Sequence, residues 1–166
     1  MRKLIWPVLF LLLLLIQGAV SVFFMGWLTF DLPFLALYTF SLLYGENYGA
    51  AAGIFAGFLQ DSMTTGIFGF HMLTRSILGY LIGLAKDKIF KDRFFYHIIS
   101  TGCCSLFIRF CFWWVEFMRT GGQWKILHDF LYDTVGYCAG NMLLAYPVAW
   151  LVRKIYKWVC AENIEY

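Results

Sequence analysis

The chain has 166 residues, of which 61% are hydrophobic and only 14% are charged. Soluble domains average about 45–50% apolar and about 25% charged residues, so this composition excludes an ordinary soluble fold. The net charge is +3, and the basic clusters lack the aromatic platform or reading helix of a nucleic-acid-binding protein. We therefore expect a single integral membrane domain over residues 1–166, with membrane lipid around it and no nucleic-acid partner.

The hydropathy pattern predicts an all-α, polytopic bundle of six transmembrane helices. The first apolar run is long enough to cross the bilayer, and we favour an uncleaved helix over a signal peptide there. The second and third runs are short, and a re-entrant pair is the alternative to two full crossings. The expected helices span approximately residues 4–24, 28–44, 48–64, 67–85, 98–118 and 134–152.

Basic residues cluster at three places, 2–3, 86–93 and 153–157. Basic residues that flank membrane segments remain on the cytoplasmic side. The three clusters share one side only if the number of crossings between them is even. Six helices satisfy this condition, with four crossings before the middle cluster and two after it, and place both termini in the cytoplasm.

Glycine recurs at every fourth position from residue 45 to residue 57. This spacing aligns small residues along one side of a helix, where two backbones can approach closely within lipid. The same spacing recurs in the fourth and sixth predicted helices. The glycines expected to mediate helix packing are Gly45, Gly49, Gly53, Gly57, Gly79, Gly83, Gly136 and Gly140.

Two arginines, Arg75 and Arg109, lie near the middle of apolar runs. A charged side chain at that depth costs roughly 2.5–3.5 kcal/mol on insertion scales. Each is therefore expected to be satisfied inside the bundle or to mark a contact with a cavity or a partner. His71 lies one helical turn before Arg75. Glu116 lies on nearly the same face as Arg109 and is expected either to pair with it or to meet water.

Polar residues at the ends of the apolar runs are expected to begin or join helices. Asp31 and Pro33 suit the start of the second helix. Asp61 suits a cap of the following turn or helix, and an interface role is the alternative. Tyr80 and Asn141 lie beside small-residue pairs and are expected to pack or hydrogen-bond between helices.

No catalytic motif is present in the sequence. It lacks HExxH, GxSxG, P-loop and GxGxxG patterns. The five cysteines contain no CxxC pair and suit buried free thiols. We therefore expect no enzymatic activity, no cofactor and no metal site.

Three segments resemble the signature region of the bacterial rod-shape-determining protein MreD family. They are residues 53–61 (GIFAGFLQD), 65–73 (TGIFGFHML) and 78–83 (LGYLIG), followed by a basic loop. The resemblance implies a non-enzymatic inner-membrane scaffold of the cell-elongation machinery. Its partner would be an MreC-like bitopic protein, linked indirectly to MreB-like filaments and peptidoglycan synthases. That family is also similar to the six-helix S-components of energy-coupling-factor transporters.

For such a scaffold, a set of positions in and after the signature is expected to form the partner interface or the buried polar interior. These candidates are Asp61, Gly66, Gly69, His71, Arg75, Tyr80, Arg109 and Glu116. Two features depart from the usual family pattern, namely the very aromatic run 107–117 and a long outer loop over 119–133.

The alternative function is a substrate-binding subunit of a small-molecule, vitamin-type importer. In that case Arg75, Arg109 and Glu116 would be pocket groups, and a co-purifying ligand would raise the thermal stability of the folded chain. A dry interior filled by side chains would exclude it.

Overall fold

The computed structural model describes residues 4–23, 29–64, 66–86, 94–121 and 125–160. Within these ranges the fold is all-helical, as predicted, with six helices and no strand. The helices are α1 Ile5–Phe23, α2 Leu32–Tyr44, α3 Glu46–Met63, α4 Phe70–Leu84, α5 Phe94–Arg119 and α6 Lys125–Cys160.

Two helical segments of the described chain, Phe95–Arg119 and Phe130–Cys160, are long and apolar enough to cross a membrane. Two further segments, Ile5–Val20 and Leu32–Tyr44, are apolar but shorter. The six-crossing topology therefore stays a prediction.

Helix α2 occupies the centre of the bundle. Every residue from Leu32 to Leu42 is buried, and the helix contacts α1, α3, α4 and α6. A helix of 13 residues rises only about 20 Å, which is less than the roughly 30 Å of a hydrocarbon core. Because its neighbours cover it, α2 needs no lipid-facing surface of its own.

A single residue, Gly45, joins α2 to α3. Its φ is +90°, a backbone conformation that glycine adopts without steric cost. The prediction that Gly45 is the first of the four glycines aligned along one side of a helix is therefore wrong. Helix α3 begins at Glu46, and Gly45 forms the turn before it.

Helices α3 and α4 pack against each other in antiparallel orientation and form the most extensive helix pair of the described residues. Gly49 and Gly53 meet the α4 backbone so closely that an added Cβ would overlap the carbonyl oxygens of Gly79 and Arg75, respectively. A Cβ at Gly57 would overlap the backbone of Met72. The four-residue spacing thus brings two backbones into direct contact, as small residues do in membrane helix pairs.

Helix α6 is longer than its apolar run. It was expected over 134–152 and instead covers Lys125–Cys160, so most of the predicted outer loop 119–133 is helical. Hydropathy detects the apolar part of a helix, whereas helix formation continues through polar residues that suit it. Helix α4 conversely starts late, at Phe70, because Gly69 before it has a φ of +93°.

Candidate functional site

Asp31 begins the central helix α2. Its side chain is the N-cap, with Oδ1 accepting a hydrogen bond from the Phe34 amide at 2.9 Å. Pro33 lies in the first turn, where its missing N–H removes no helical hydrogen bond. The cap is buried at 3% exposure, so the charge of Asp31 lies inside the bundle.

Arg75 of α4 supplies the counter-charge for Asp31. Its Nη2 lies 2.6 Å from Oδ1 and 2.5 Å from Oδ2 of the carboxylate. Arg75 is only 1% exposed, and its Nη1 also donates to the carbonyl oxygen of Ala56 at 3.5 Å. A buried charge needs such a partner. Of the two expectations for Arg75, the structure shows internal satisfaction.

Two residues of α6 complete the hydrogen bonding around Asp31. The Tyr137 hydroxyl donates to Oδ2 at 3.2 Å, and the Asp31 amide donates to Oδ1 of Asn141 at 2.8 Å. Nδ2 of Asn141 then donates to the Ser105 hydroxyl of α5 at 3.0 Å. We call Asp31, Arg75, Ser105, Tyr137 and Asn141 the Asp31 network. It ties α2, α4, α5 and α6 together through buried polar contacts.

Asp61 closes the turn between α3 and α4. Its Oδ2 accepts hydrogen bonds from the amides of Gly69 and Met72, each at 3.0 Å, and its Oδ1 accepts one from His71 at 3.1 Å. A carboxylate on free amides at a helix start is a favourable cap. Asp61 is 4% exposed, so its side chain is turned inward to hold α4.

A cavity of about 590 Å³ opens beside the Asp31 network. It lies between the later half of α1, the α3–α4 turn, α5 and α6, at the end of the bundle opposite Gly45. Its larger polar lining residues are Gln17, Asp31, Gln60, His71, Arg109 and Tyr137. Its larger apolar lining residues are Leu14, Leu15, Phe30, Met63, Phe70, Ile108 and Phe112. We call it the Asp31 cavity, and its volume is typical of binding sites.

Arg109 lies in the α5 wall of the Asp31 cavity. Its Nη2 is 3.3 Å from Oδ2 of Asp133, with side chains that are 20% and 60% exposed, respectively. Its guanidinium carbon lies 5.9 Å from the ring centroid of Phe112 and 5.6 Å from that of Tyr137. Its Nε is buried and has no hydrogen-bond partner within the described residues.

Of the two expectations for Glu116, the pairing with Arg109 is not found. Glu116 contacts Arg119 instead, with Oε1 3.2 Å from Nη2. Seven residues of helix separate Arg109 from Glu116 by about 10 Å along the axis, whereas Arg119 is within one turn of Glu116. Asp133 of α6 lies nearer to Arg109 because α5 and α6 pack together.

The remaining candidates fall into different environments. His71 is partly buried and lines the Asp31 cavity. Tyr80 is 43% exposed and is not packed as expected, because the side of α4 that faces α3 is occupied by Gly79 and Gly83. Gly66 is exposed, with no described atom within 4 Å of an added Cβ.

The glycines of α6 lie in two settings. An added Cβ at Gly140 would overlap the carbonyl oxygen of Thr29, so this glycine lets α6 approach the segment before α2. Gly136 is partly buried in α6.

Sequence reasoning missed the partners of both arginines. Asp31 was predicted only to start a helix, and Tyr137 and Asp133 were not singled out. The available signal was charge balance, because an arginine within an apolar run implies an acidic partner elsewhere in the chain. Among the described residues no group of three or more potential metal ligands occurs, and the five cysteines are free thiols.

Comparisons with known proteins identify a family for most of the chain. A sequence model of the family described as "rod shape-determining protein MreD" matches residues 1–159. No curated protein and no solved structure matches the chain.

Proposed function

The chain belongs to the MreD family of rod shape-determining proteins, and on this basis we propose that it is a scaffold of the bacterial cell-elongation machinery. Membership implies a role in determining rod shape and, together with the two long apolar helices, a membrane protein. Our proposal adds that the scaffold is non-enzymatic and binds an MreC-like bitopic protein. Through that partner it would couple MreB-like filaments to peptidoglycan synthesis.

We propose that the chain spans the inner membrane several times, with both termini in the cytoplasm. Lys86 lies at the Gly45 end of the bundle, with its Nζ 3.4 Å from where a Cβ of Gly45 would be. Lys154 and Lys157 lie in the last turns of α6. Basic residues favour the cytoplasmic side. This orientation places the Asp31 cavity on the outer face.

The observation that carries the scaffold proposal is the Asp31 cavity itself. It is concave and mostly apolar, with a few convergent polar groups, which is the usual make-up of a binding site. Its wall includes Asp31, which is held by the buried ion pair with Arg75, and Tyr137, which donates a hydrogen bond to Asp31. A site with fixed walls loses little conformational freedom on binding. We propose that it receives the part of the partner that leaves the membrane on this face.

The cavity also bears on the alternative function, a small-molecule importer subunit with an S-component-like fold, because such a subunit needs a pocket. Of the three residues expected as pocket groups, Arg109 lines the cavity. Arg75 is bound to Asp31, and Glu116 is paired with Arg119. Because only one of the three expected charged groups is available in the cavity, we favour a protein partner over a small ligand held by all three.

The same change, from alanine to tryptophan, made separately in each of two cavities, tests the scaffold proposal. Ala19 lines the Asp31 cavity, and Ala51 lines a second, apolar cavity of about 450 Å³ at the Gly45 end. Both alanines are exposed, so either position accepts a larger side chain. We expect Ala19→Trp to lose the MreC-like partner in affinity purification from membranes and to lose rod shape in a deletion strain. Ala51→Trp should retain both.

Two results would overturn the proposal. One is a wild-type chain that retains no MreC-like protein while its deletion leaves rods intact. The other is a small ligand that co-purifies with the chain and raises its thermal midpoint without any protein partner, which would support the importer instead.

A further inference from the structure

We propose that Arg109 binds a carboxylate of an acidic polypeptide segment of the partner, and that Asp133 occupies Arg109 until that segment arrives. This assignment rests on the proposed function, since it takes the Asp31 cavity as the partner's site. It names the chemistry by which the partner would be recognised and gives Asp133 the role of an internal competitor.

Arg109 retains unused hydrogen-bonding capacity. A guanidinium has five N–H donors and binds a carboxylate best through two parallel contacts of about 2.7–2.9 Å. Arg75 contacts both oxygens of Asp31 through one nitrogen, Nη2, at 2.6 and 2.5 Å, and its Nη1 also donates to the Ala56 carbonyl oxygen. Among the described residues, Arg109 has one ion pair, a longer contact of 3.3 Å between its Nη2 and Oδ2 of Asp133. Its buried Nε has no acceptor in the part of the chain that the structure describes.

Two aromatic rings hold the guanidinium of Arg109 at the cavity wall. Phe112 and Tyr137 lie 5.9 and 5.6 Å from its central carbon, within the range of cation–π attraction. Tyr137 is itself fixed by its hydrogen bond to Asp31. The planar fork of Arg109 is therefore positioned before any ligand enters, which suits two-point recognition of a carboxylate.

Asp133 can be released from Arg109 at little cost. Its side chain is 60% exposed, and it lies near the start of the apolar segment Phe130–Cys160, so the bundle does not enclose the carboxylate. Exposed ion pairs contribute little to stability. An incoming carboxylate that makes two contacts within the cavity would replace one weak contact with two stronger ones.

A second unsatisfied group favours a polypeptide as the source of the carboxylate. Gln60 lines the same cavity, and its Oε1 is buried without a hydrogen-bond donor from the described residues. An acidic residue in a peptide segment brings a carboxylate for Arg109, and the backbone of the segment supplies N–H donors for Gln60. A small carboxylate supplies only the first group.

Four single variants of the full chain test whether a carboxylate of the partner replaces Asp133 at Arg109. Arg109→Gln removes the guanidinium group, and Asp133→Asn removes the carboxylate that competes for it. Arg119→Gln and Glu116→Gln are matched controls, since their ion pair lies on the same helix α5 but outside the cavity lining. The measurement is the dissociation constant for the purified MreC-like partner in lipid nanodiscs. Thermal midpoints of all four variants accompany it.

We expect Arg109→Gln to weaken partner binding about tenfold or more and Asp133→Asn to strengthen it about two- to fivefold, as the loss of a weak competing pair implies. A fifth variant, Arg109→Lys, keeps the charge but not the planar pair of donors, and its affinity should fall between those of Arg109→Gln and wild type. The two control variants should bind as wild type does. The opposite signs of the first two effects distinguish recognition from simple loss of folding.

The results separate this inference from the proposed function. If the wild-type chain does not bind the partner, the scaffold proposal fails. If the wild-type chain binds but Arg109→Gln binds equally well, or Asp133→Asn binds more weakly, the exchange is overturned and the scaffold stands. Glutarate that raises the thermal midpoint of wild type but not of Arg109→Gln would overturn the polypeptide as the source of the carboxylate.

Discussion

Arg75 and Asp31 meet at the start of the central helix, with both carboxylate oxygens within 2.6 Å of one guanidinium nitrogen. The two residues are 44 positions apart in the chain, and both are nearly inaccessible to solvent. Because Asp31 also caps α2, the ion pair connects the position of α4 with the point at which the central helix begins. The wall of the Asp31 cavity depends on this contact.

Removing the negative charge of Asp31 should be strongly destabilising. Asp31→Asn leaves Arg75 buried without a counter-charge, and breaking a buried pair in this way costs about 3–5 kcal/mol. We expect a clear drop in the thermal midpoint of the chain in detergent. Glu116→Gln breaks the more exposed pair with Arg119 and should cost less than about 1 kcal/mol. Equal midpoints for the two variants would contradict a stabilising role for the buried pair.

Replacing both partners should cost less than the two single losses combined. Arg75→Met removes the charge that Asp31→Asn leaves unpaired, so the double variant has no unpaired buried charge at this site. We expect a coupling energy of about 0.5–3 kcal/mol in the double-mutant cycle, measured from thermal unfolding. Additive effects would show that the two side chains act independently.

The contact of α3 with α4 should not tolerate even a methyl group. A Cβ at Gly53 would overlap the backbone of Arg75, and backbone cannot move aside as a flexible side chain can. Gly53→Ala should therefore lower the thermal midpoint, with a cost of about 1–3 kcal/mol that is typical of overpacking. Gly18→Ala is the control, since no described atom lies within 4 Å of its added Cβ. Gain of stability at both positions would argue against close α3–α4 packing.

Loss of the Asp61 cap should loosen the start of α4. Asp61→Ala leaves the amides of Gly69, His71 and Met72 without their acceptor, at a cost of about 0.5–2 kcal/mol. We expect faster hydrogen–deuterium exchange at these amides, measured by mass spectrometry. Ser62→Ala is the control, because the exposed Ser62 hydroxyl contacts only the Phe58 carbonyl among the hydrogen bonds of the described chain. Unchanged exchange in Asp61→Ala would show that the cap is dispensable.

The proposed orientation can be tested by labelling single cysteines in a background that lacks the five native ones. Thr64 lies at the cavity end of α3 and Lys154 near the opposite end of the bundle, and both are exposed. Thr64→Cys should react with a membrane-impermeant maleimide in intact spheroplasts, and Lys154→Cys only after permeabilisation. Labelling of Lys154→Cys from outside would reverse the assignment of the cavity to the outer face.

Local patterns in the sequence were sufficient for several features. The apolar runs predicted an all-helical fold, and six helices are present in the described residues. The motifs between residues 53 and 83 predicted the MreD family, which the match over residues 1–159 confirms. The fourfold glycine spacing also indicated close backbone contact, although Gly45 proved to be a turn residue because its positive φ ends the regular helix.

Those local patterns could not predict contacts between residues that lie far apart in the sequence. Glu116 was a predicted partner of Arg109, with contact to water as the alternative, because both residues lie on one helix. The residue that pairs with Arg109 is instead Asp133 of α6. Asn141 reaches the Asp31 amide across 110 residues of chain. Spacing along a helix constrains only neighbours within one or two turns, so contacts between helices depend on how the helices pack.

The sequence by itself determined that this chain is apolar, helical and a member of a shape-determining family, because composition, hydropathy and local motifs report on short stretches of chain. Tertiary structure alone decided which acid neutralises each arginine and where the cavity lies. The physical reason is that a buried charge is satisfied by whichever group the packed helices bring within about 3 Å. That distance is a property of the assembled bundle and of no single segment.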